Sequence, residues 1–263
     1  MDYLLLICSF FYIVAAFSAA KHLIAPNKPF KIYFVPSIAI ALFGHGYWLF
    51  NNIIVIGGEN LPILNVLSLV TFITSLLATI PHKRFNMGIL QPIIYAFTVL
   101  NLQAVIFLPS HFITHLENHI AIAIHIVIAL LAYSILSIAS LFALQLAYLD
   151  YRLKCKKPPL TKMSMPPLMT LEQKLFQITL VGFVFLTGTL FTGFLFIENM
   201  FVPEQVYKVY LSFIAWIIYA ILLWGHFHKG WRGRSTTYIT IIGSSLLTLA
   251  YFGSRFVREV ILH

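Results

Sequence analysis

Charge is what this sequence is short of. Only 10% of its 263 residues are charged and 60% are hydrophobic, whereas a soluble domain carries roughly a quarter charged residues. Mean hydropathy is +0.90. A water-soluble globule is excluded, and the chain reads as an all-α, polytopic membrane helix bundle. Cysteine is scarce as well. Cys8 and Cys155 form no CxxC, which argues against paired thiol–disulfide exchange and against covalent attachment of haem to this chain. The P-loop, HExxH and GxSxG patterns are all missing. With no nucleophile–base set at a recognisable spacing, the chain is expected not to be an enzyme. No Asp, Glu, Lys or Arg falls in the middle of an apolar run, and that weakens a transporter reading, which usually needs intramembrane charge or a broken helix.

What is present is a series of apolar runs. Eight spans, about 3–20, 34–56, 61–80, 88–108, 120–149, 174–197, 208–227 and 236–257, are long enough or nearly so to cross a bilayer as helices. The first is preceded by Asp2 and followed by Lys21. A cleaved signal peptide has its positive charge in front, so this run is expected to be a retained helix. The fifth exceeds what a bilayer needs, and its last turns are expected to project into water.

The charges alternate between loops. Lys21, Lys28, Lys31, Lys83, Arg84, Arg152, Lys154, Lys156, Lys157, Lys162, Lys174, Lys229, Arg232 and Arg234 fall on one side, leaving Lys208, Arg255 and Arg258 on the other. Positive charge marks the cytoplasmic side, so both termini are expected on the exterior face. The net charge of +9 is then an orientation signal, and nucleic-acid binding falls away. The stretch 150–173 is the longest polar segment, and Pro158, Pro159, Pro166 and Pro167 keep its flanking helices from joining. It reads either as a solvated basic linker or as a docking site for a cytoplasmic partner.

Histidines alone break the apolar spans: His45 between Gly44 and Gly46, His125 near the start of the fifth span, and His226 near the end of the seventh. Polar groups in lipid are costly and tend to be functional. Neutral imidazole is tolerable there and is a good axial ligand for haem iron. From His125, helical spacing brings Ala129, Ala132, Leu136, Ala139, Ser140, Ala143 and Ala147 onto one face. Such small side chains admit either another helix or a planar cofactor. The glycines beside His45 likewise admit a large group, with Trp48 a candidate pocket wall; the alternative is a histidine bonded to a neighbouring helix. His226, beside His228, also reads as an ordinary interfacial residue. His111, His115 and His119 stand at i, i+4 and i+8. They read as a wet loop, as a zinc or copper cluster, or, through His115, as a second ligand to a metal on His125. Arg255 is a candidate partner for a haem carboxylate or an interfacial anchor.

The run HIVIALLAYSILSIASLFALQLAYLDYRLK, followed by LEQKLFQITLVGFVFLTGTLFTGFLF, LSFIAWIIYAILLWGHFHKGWRGR and LTLAYFGSRFV, resembles the cytochrome c assembly membrane proteins, the haem-handling CcmC, CcsA and HemX group. The shorter runs FITHLE, LQLAYLDY, MPPLM, WGHFHKGWRGR and LAYFGSR strengthen the likeness. The resemblance implies a multi-pass protein of the bacterial inner (plasma) membrane, one integral domain over 1–263 with the assembly-like region at about 34–260 and helix 3–20 as an appendage. It implies haem as cofactor and haem-pathway or cytochrome-assembly proteins as partners, beside membrane lipids. His125 matches an exterior axial ligand of that family, His226 an intramembrane one, and His45 an upstream one. The family's exterior WxWD loop is replaced here by IENMFVPEQVYKVYL, without Trp or Asp, so haem presentation to a client is not implied in the same way. The rival expectation is a cofactor-free, HemX-like scaffold or regulator working through residues 150–173.

Overall fold

The computed structural model describes residues 2–24, 31–55, 58–80, 87–108, 113–114, 120–155, 167–197 and 206–253. The protein is an all-α polytopic bundle of eight helices: α1 (Asp2–Ile24), α2 (Lys31–Ile53), α3 (Ile63–Thr79), α4 (Leu90–Phe107), α5 (Ile120–Lys154), α6 (Leu168–Phe196), α7 (Val206–Lys229) and α8 (Arg234–Thr248). All eight expected spans are helices. Seven are long and apolar enough to cross a membrane, α8 being counted with the turn that follows it, while α3, at 17 residues, is shorter. Three short strands, β1 (Ile54–Val55), β2 (Gly58–Asn60) and β3 (Ile113–Thr114), pair antiparallel in that order.

The sixth helix begins earlier than its apolar run. Pro167 is its N-cap, with φ −55° and ψ 148°, and the helix takes in Thr170, Glu172 and Lys174 before the hydrophobic stretch. Proline fits a helix start because it has no N–H to leave unpaired. Hydropathy reports where lipid begins, not where the helix does. Lys174, expected in the loop, therefore lies in the second turn of α6. Helix α5 has 35 residues, or about 52 Å at 1.5 Å per residue, against a hydrocarbon core of about 30 Å.

The chain divides into two compact units. In unit 1, α1 packs on α2 and α4, and α3 packs on α4 and α2. Its core holds Leu5, Tyr12, Tyr95 and Leu102, all buried. A polar seam joins α3 to α4: Ser75 bonds Thr98 at 2.8 Å, Thr79 bonds Tyr95 at 2.9 Å, and Thr71 donates to Asn101 at 3.4 Å. Lipid supplies no hydrophobic drive for helices to associate, so hydrogen bonds and close packing carry that task.

In unit 2, α5 packs on α6 and α8, and α7 on α8 and α6. The core gathers Ala132, Leu136, Phe176, Leu186, Ala215, Tyr219, Leu222 and Leu247. Glycine sets the closest approaches. A Cβ on Gly182 would sit 2.6 Å from Leu136 Cδ2, and one on Gly243 would sit 2.9 Å from Tyr219 Cζ. Helix α8 runs on into a π-helical turn, Leu249–Gly253. Large apolar side chains such as Phe43, Phe107 and Phe194 are exposed at 82%, 75% and 74%. In water such a surface would aggregate; here it is the face offered to lipid.

Candidate functional site

His125 is in the second turn of α5, half-buried, where α5 meets the far end of α6. Its Nδ1 lies 3.0 Å from Thr192 Oγ1. The Thr192 hydroxyl also donates along its own helix, to Gly188 O at 2.8 Å and Thr189 O at 3.2 Å. Beside the imidazole opens a cavity of about 380 Å³, walled by α5, α6, α7, the end of α8 and the π turn. Ala129 and Ala132 form part of the wall from α5, Leu186 and Gly193 from α6, Ser212 from α7, and Ala250 and Tyr251 from the π turn. Among the described residues one cation, Lys208, lines it. Tyr133 closes one side: its hydroxyl bonds Thr248 Oγ1 at 3.1 Å, and its ring stacks on Tyr251 at 5.8 Å. Thr248 spends its own proton on Ser244 O at 2.9 Å, so Tyr133 is the donor in that pair.

The small-residue face of α5 therefore has different neighbours at different heights. Near His125, Ala129 and Ala132 border open space. Lower down, Leu136 meets α6 at Gly182, and Ala139 and Ala143 are fully buried.

His226 sits at the other end of unit 2, in the last turn of α7. Its ring lies on Phe176, with centroids 3.4 Å apart and planes 13° apart. Its Nδ1 is 3.1 Å from the Trp231 carbonyl, and a carbonyl only accepts, so Nδ1 carries the proton. The turn that brings Trp231 back depends on glycine. Gly230 takes φ 65°, a left-handed value that ends the helix. Trp231 N–H reaches Gly225 O at 3.0 Å, and the indole lies directly against Gly225, where a Cβ would collide. A smaller cavity of about 170 Å³ is lined by His226, Phe176, Met169, Glu172, Gln173 and Arg232. At the same end, Asp150 accepts from Arg234 at 2.7 Å and Lys154 at 3.1 Å, and Glu172 accepts from Gly233 N–H at 2.8 Å.

His45 belongs to unit 1 and is fully buried. Both of its nitrogens are engaged, Nδ1 with Tyr12 OH at 3.2 Å and Nε2 with Ser68 Oγ at 2.9 Å. Phe72 and Tyr12 meet the ring edge-on. The group that its flanking glycines admit is protein: a Cβ on Gly44 would be 2.6 Å from Cys8 Sγ of α1, and one on Gly46 would be 3.3 Å from Phe72 of α3. Trp48 is buried in this unit.

His111, His115, His119 and Arg255 lie outside the described residues. Among the described residues, no three His, Cys, Asp or Glu side chains converge on a possible metal position. Sequence reasoning passed over Thr192, Tyr133 and the Trp231 carbonyl. For Thr192 a signal existed: Gly188, Thr189, Thr192 and Gly193 are small or polar residues at helical spacing in an apolar run, which marks the side of α6 that meets a partner. The Trp231 carbonyl had none, because a backbone acceptor has no letter of its own.

The profile of the family described as cytochrome C assembly protein matches residues 2–262 of the chain. The chain is 43% identical over 255 residues to the inner membrane protein YpjD of Escherichia coli strain K12, covering 94% of the chain and 97% of that protein. The YpjD of Escherichia coli O157:H7 matches to the same extent. A 28.8 kDa protein of Azospirillum brasilense, named for a nifR3-like 5′ region, is 32% identical over 144 residues, covering 54% of the chain and 53% of its own length. No solved structure matches the chain.

Proposed function

Because the chain belongs to the cytochrome c assembly protein family, we propose that it is an inner-membrane haem-handling protein that holds or passes haem without transforming it, with His125 as axial ligand. The observation that carries this reading is the cavity beside His125: an imidazole, aliphatic and aromatic walls and Lys208 enclose about 380 Å³. Small-molecule sites are typically 300–1,000 Å³, mostly apolar, with a few placed polar groups. The residues present fit a flat, apolar, carboxylate-bearing group. Haem, when bound, would supply an iron centre that the His125 imidazole would help to hold.

Each residue has a defined task in this reading. His125 offers the ring nitrogen that Thr192 does not engage. Ala129, Ala132 and Gly193 leave room for a planar face, and Tyr133, stacked on Tyr251, blocks one side. Lys208 at the start of α7 brings a positive charge to the cavity wall, where it would meet a carboxylate. His226, with its Nδ1 held by a carbonyl, offers a second imidazole at the other end of unit 2. His45 has no nitrogen left over in its present bonds, and its task is to tie α1, α2 and α3 together.

Purification in mild detergent after expression with a haem precursor tests this directly. The wild-type protein should show a Soret band, and His125→Ala should lose it or shift it strongly while His45 variants that fold retain it. A colourless wild-type protein under these conditions would end the proposal.

A further inference from the structure

We propose that Thr192 is the positioning residue for His125: its hydroxyl fixes the imidazole as the Nδ1–H tautomer and leaves Nε2 as a bare lone pair. The inference follows from counting protons. A threonine hydroxyl has one hydrogen and two acceptor lone pairs. That hydrogen is already shared between Gly188 O at 2.8 Å and Thr189 O at 3.2 Å, three and four residues back along α6. It has none to give to His125. The 3.0 Å contact between Thr192 Oγ1 and His125 Nδ1 must therefore be donated by the imidazole. A neutral imidazole has one N–H, so Nε2 is the unprotonated nitrogen.

The geometry serves a ligand in three ways. The contact joins α5 to α6 over a sequence separation of 67 residues, so it pins the ring between two rigid helices, without any loop. Thr192 does not line the cavity, whereas His125 does, so the anchored nitrogen faces α6 and the other is left for the open side. The ring's other polar neighbour is the backbone carbonyl of Thr189, an acceptor on the same stretch of α6. Metal-ligating histidines are oriented and made more basic by a partner on the other ring nitrogen, and loss of that partner typically costs roughly 10–100-fold in metal affinity. The contrast inside this chain is informative: His45 is enclosed, with a side-chain partner on each nitrogen, while His125 has one side-chain partner and an adjoining cavity. The use of the free nitrogen for iron rests on the haem reading above; the tautomer itself does not.

The test uses the full-length protein in detergent, without haem, grown on histidine labelled with ¹⁵N in the ring. Proton–nitrogen correlation assigns the His125 signals by their disappearance in His125→Gln. The expected result is Nδ1 protonated and Nε2 unprotonated in the wild type and in Thr192→Ser, and loss of that preference in Thr192→Val, which keeps the shape and removes the oxygen. Haem titration is the second reading, with affinity falling roughly 10–100-fold in Thr192→Val and recovering in Thr192→Ser. A wild-type His125 protonated on Nε2 overturns the inference without need of any variant, and so does an unchanged tautomer in folded Thr192→Val. If the tautomer follows Thr192 but the wild type binds no haem, the inference stands and the haem reading fails.

Discussion

His226 lies flat on Phe176, ring against ring at 3.4 Å and within 13° of parallel. One nitrogen is tied to Trp231 O, and Trp231 is in turn seated on Gly225. Gly225 is thus the base of a stack that ends in an oriented imidazole. Gly225→Ala would force the indole off its seat and the carbonyl with it. Overpacking of this kind costs about 1–3 kcal/mol. A lower thermal midpoint together with a changed tryptophan emission is expected. Ala at Gly225 with an unaltered His226 environment, read by ring NMR, would show that the stack is not built this way.

His45→Ala should destabilise the protein without removing a ligand. It leaves the buried Ser68 hydroxyl without its imidazole partner and Tyr12 with Ser75 alone, at about 1–3 kcal/mol for an unsatisfied buried group. Thermal unfolding in detergent should fall by several degrees, with haem per folded protein unchanged. Loss of haem from a fully folded His45 variant would move the ligand to unit 1.

Gly44 and Cys8 should be coupled. A methyl at Gly44 meets Cys8 Sγ at 2.6 Å, so Gly44→Ala alone pushes α1 away from α2. Trimming the thiol with Cys8→Ala opens the required space. In a double-mutant cycle, the pair should be more stable than the two single effects added together, by about 0.5–3 kcal/mol. Simple additivity would place the contact elsewhere.

Lys208 should read carboxylates and not iron. Lys208→Gln is expected to weaken binding of haem roughly tenfold, the scale of one charge-assisted hydrogen bond at about 1.5 kcal/mol, while leaving haem dimethyl ester nearly unchanged. Raising ionic strength should narrow the gap between the two ligands in the wild type. Equal losses for acid and ester would remove Lys208 from the site.

The architecture was legible because lipid enforces it. A chain with so little charge has few alternatives to helices across a bilayer, and the eight runs mark them to within a few residues, apart from the polar first turns of α6. The histidines were legible as exceptions, but their chemistry was not. What separates His45 from His125 is enclosure between two side-chain partners against one partner and an adjoining cavity, and Tyr12, Ser68 and Thr192 lie 33, 23 and 67 residues away from the rings they touch. No local pattern records such pairings. The glycines around His45 show the same limit: sequence spacing reveals that something approaches closely, and only packing shows that it is Cys8 and Phe72.

The π turn at Leu249–Gly253 makes residue number, more than residue identity, decisive at the end of α8. A turn of this kind holds one amino acid beyond the regular helical count, and each step along a helix rotates the chain by about 100°. Removing a single position from this stretch would leave a segment just as greasy and just as able to span. It would nevertheless swing Tyr251 away from Tyr133 and unseal the chamber that holds His125.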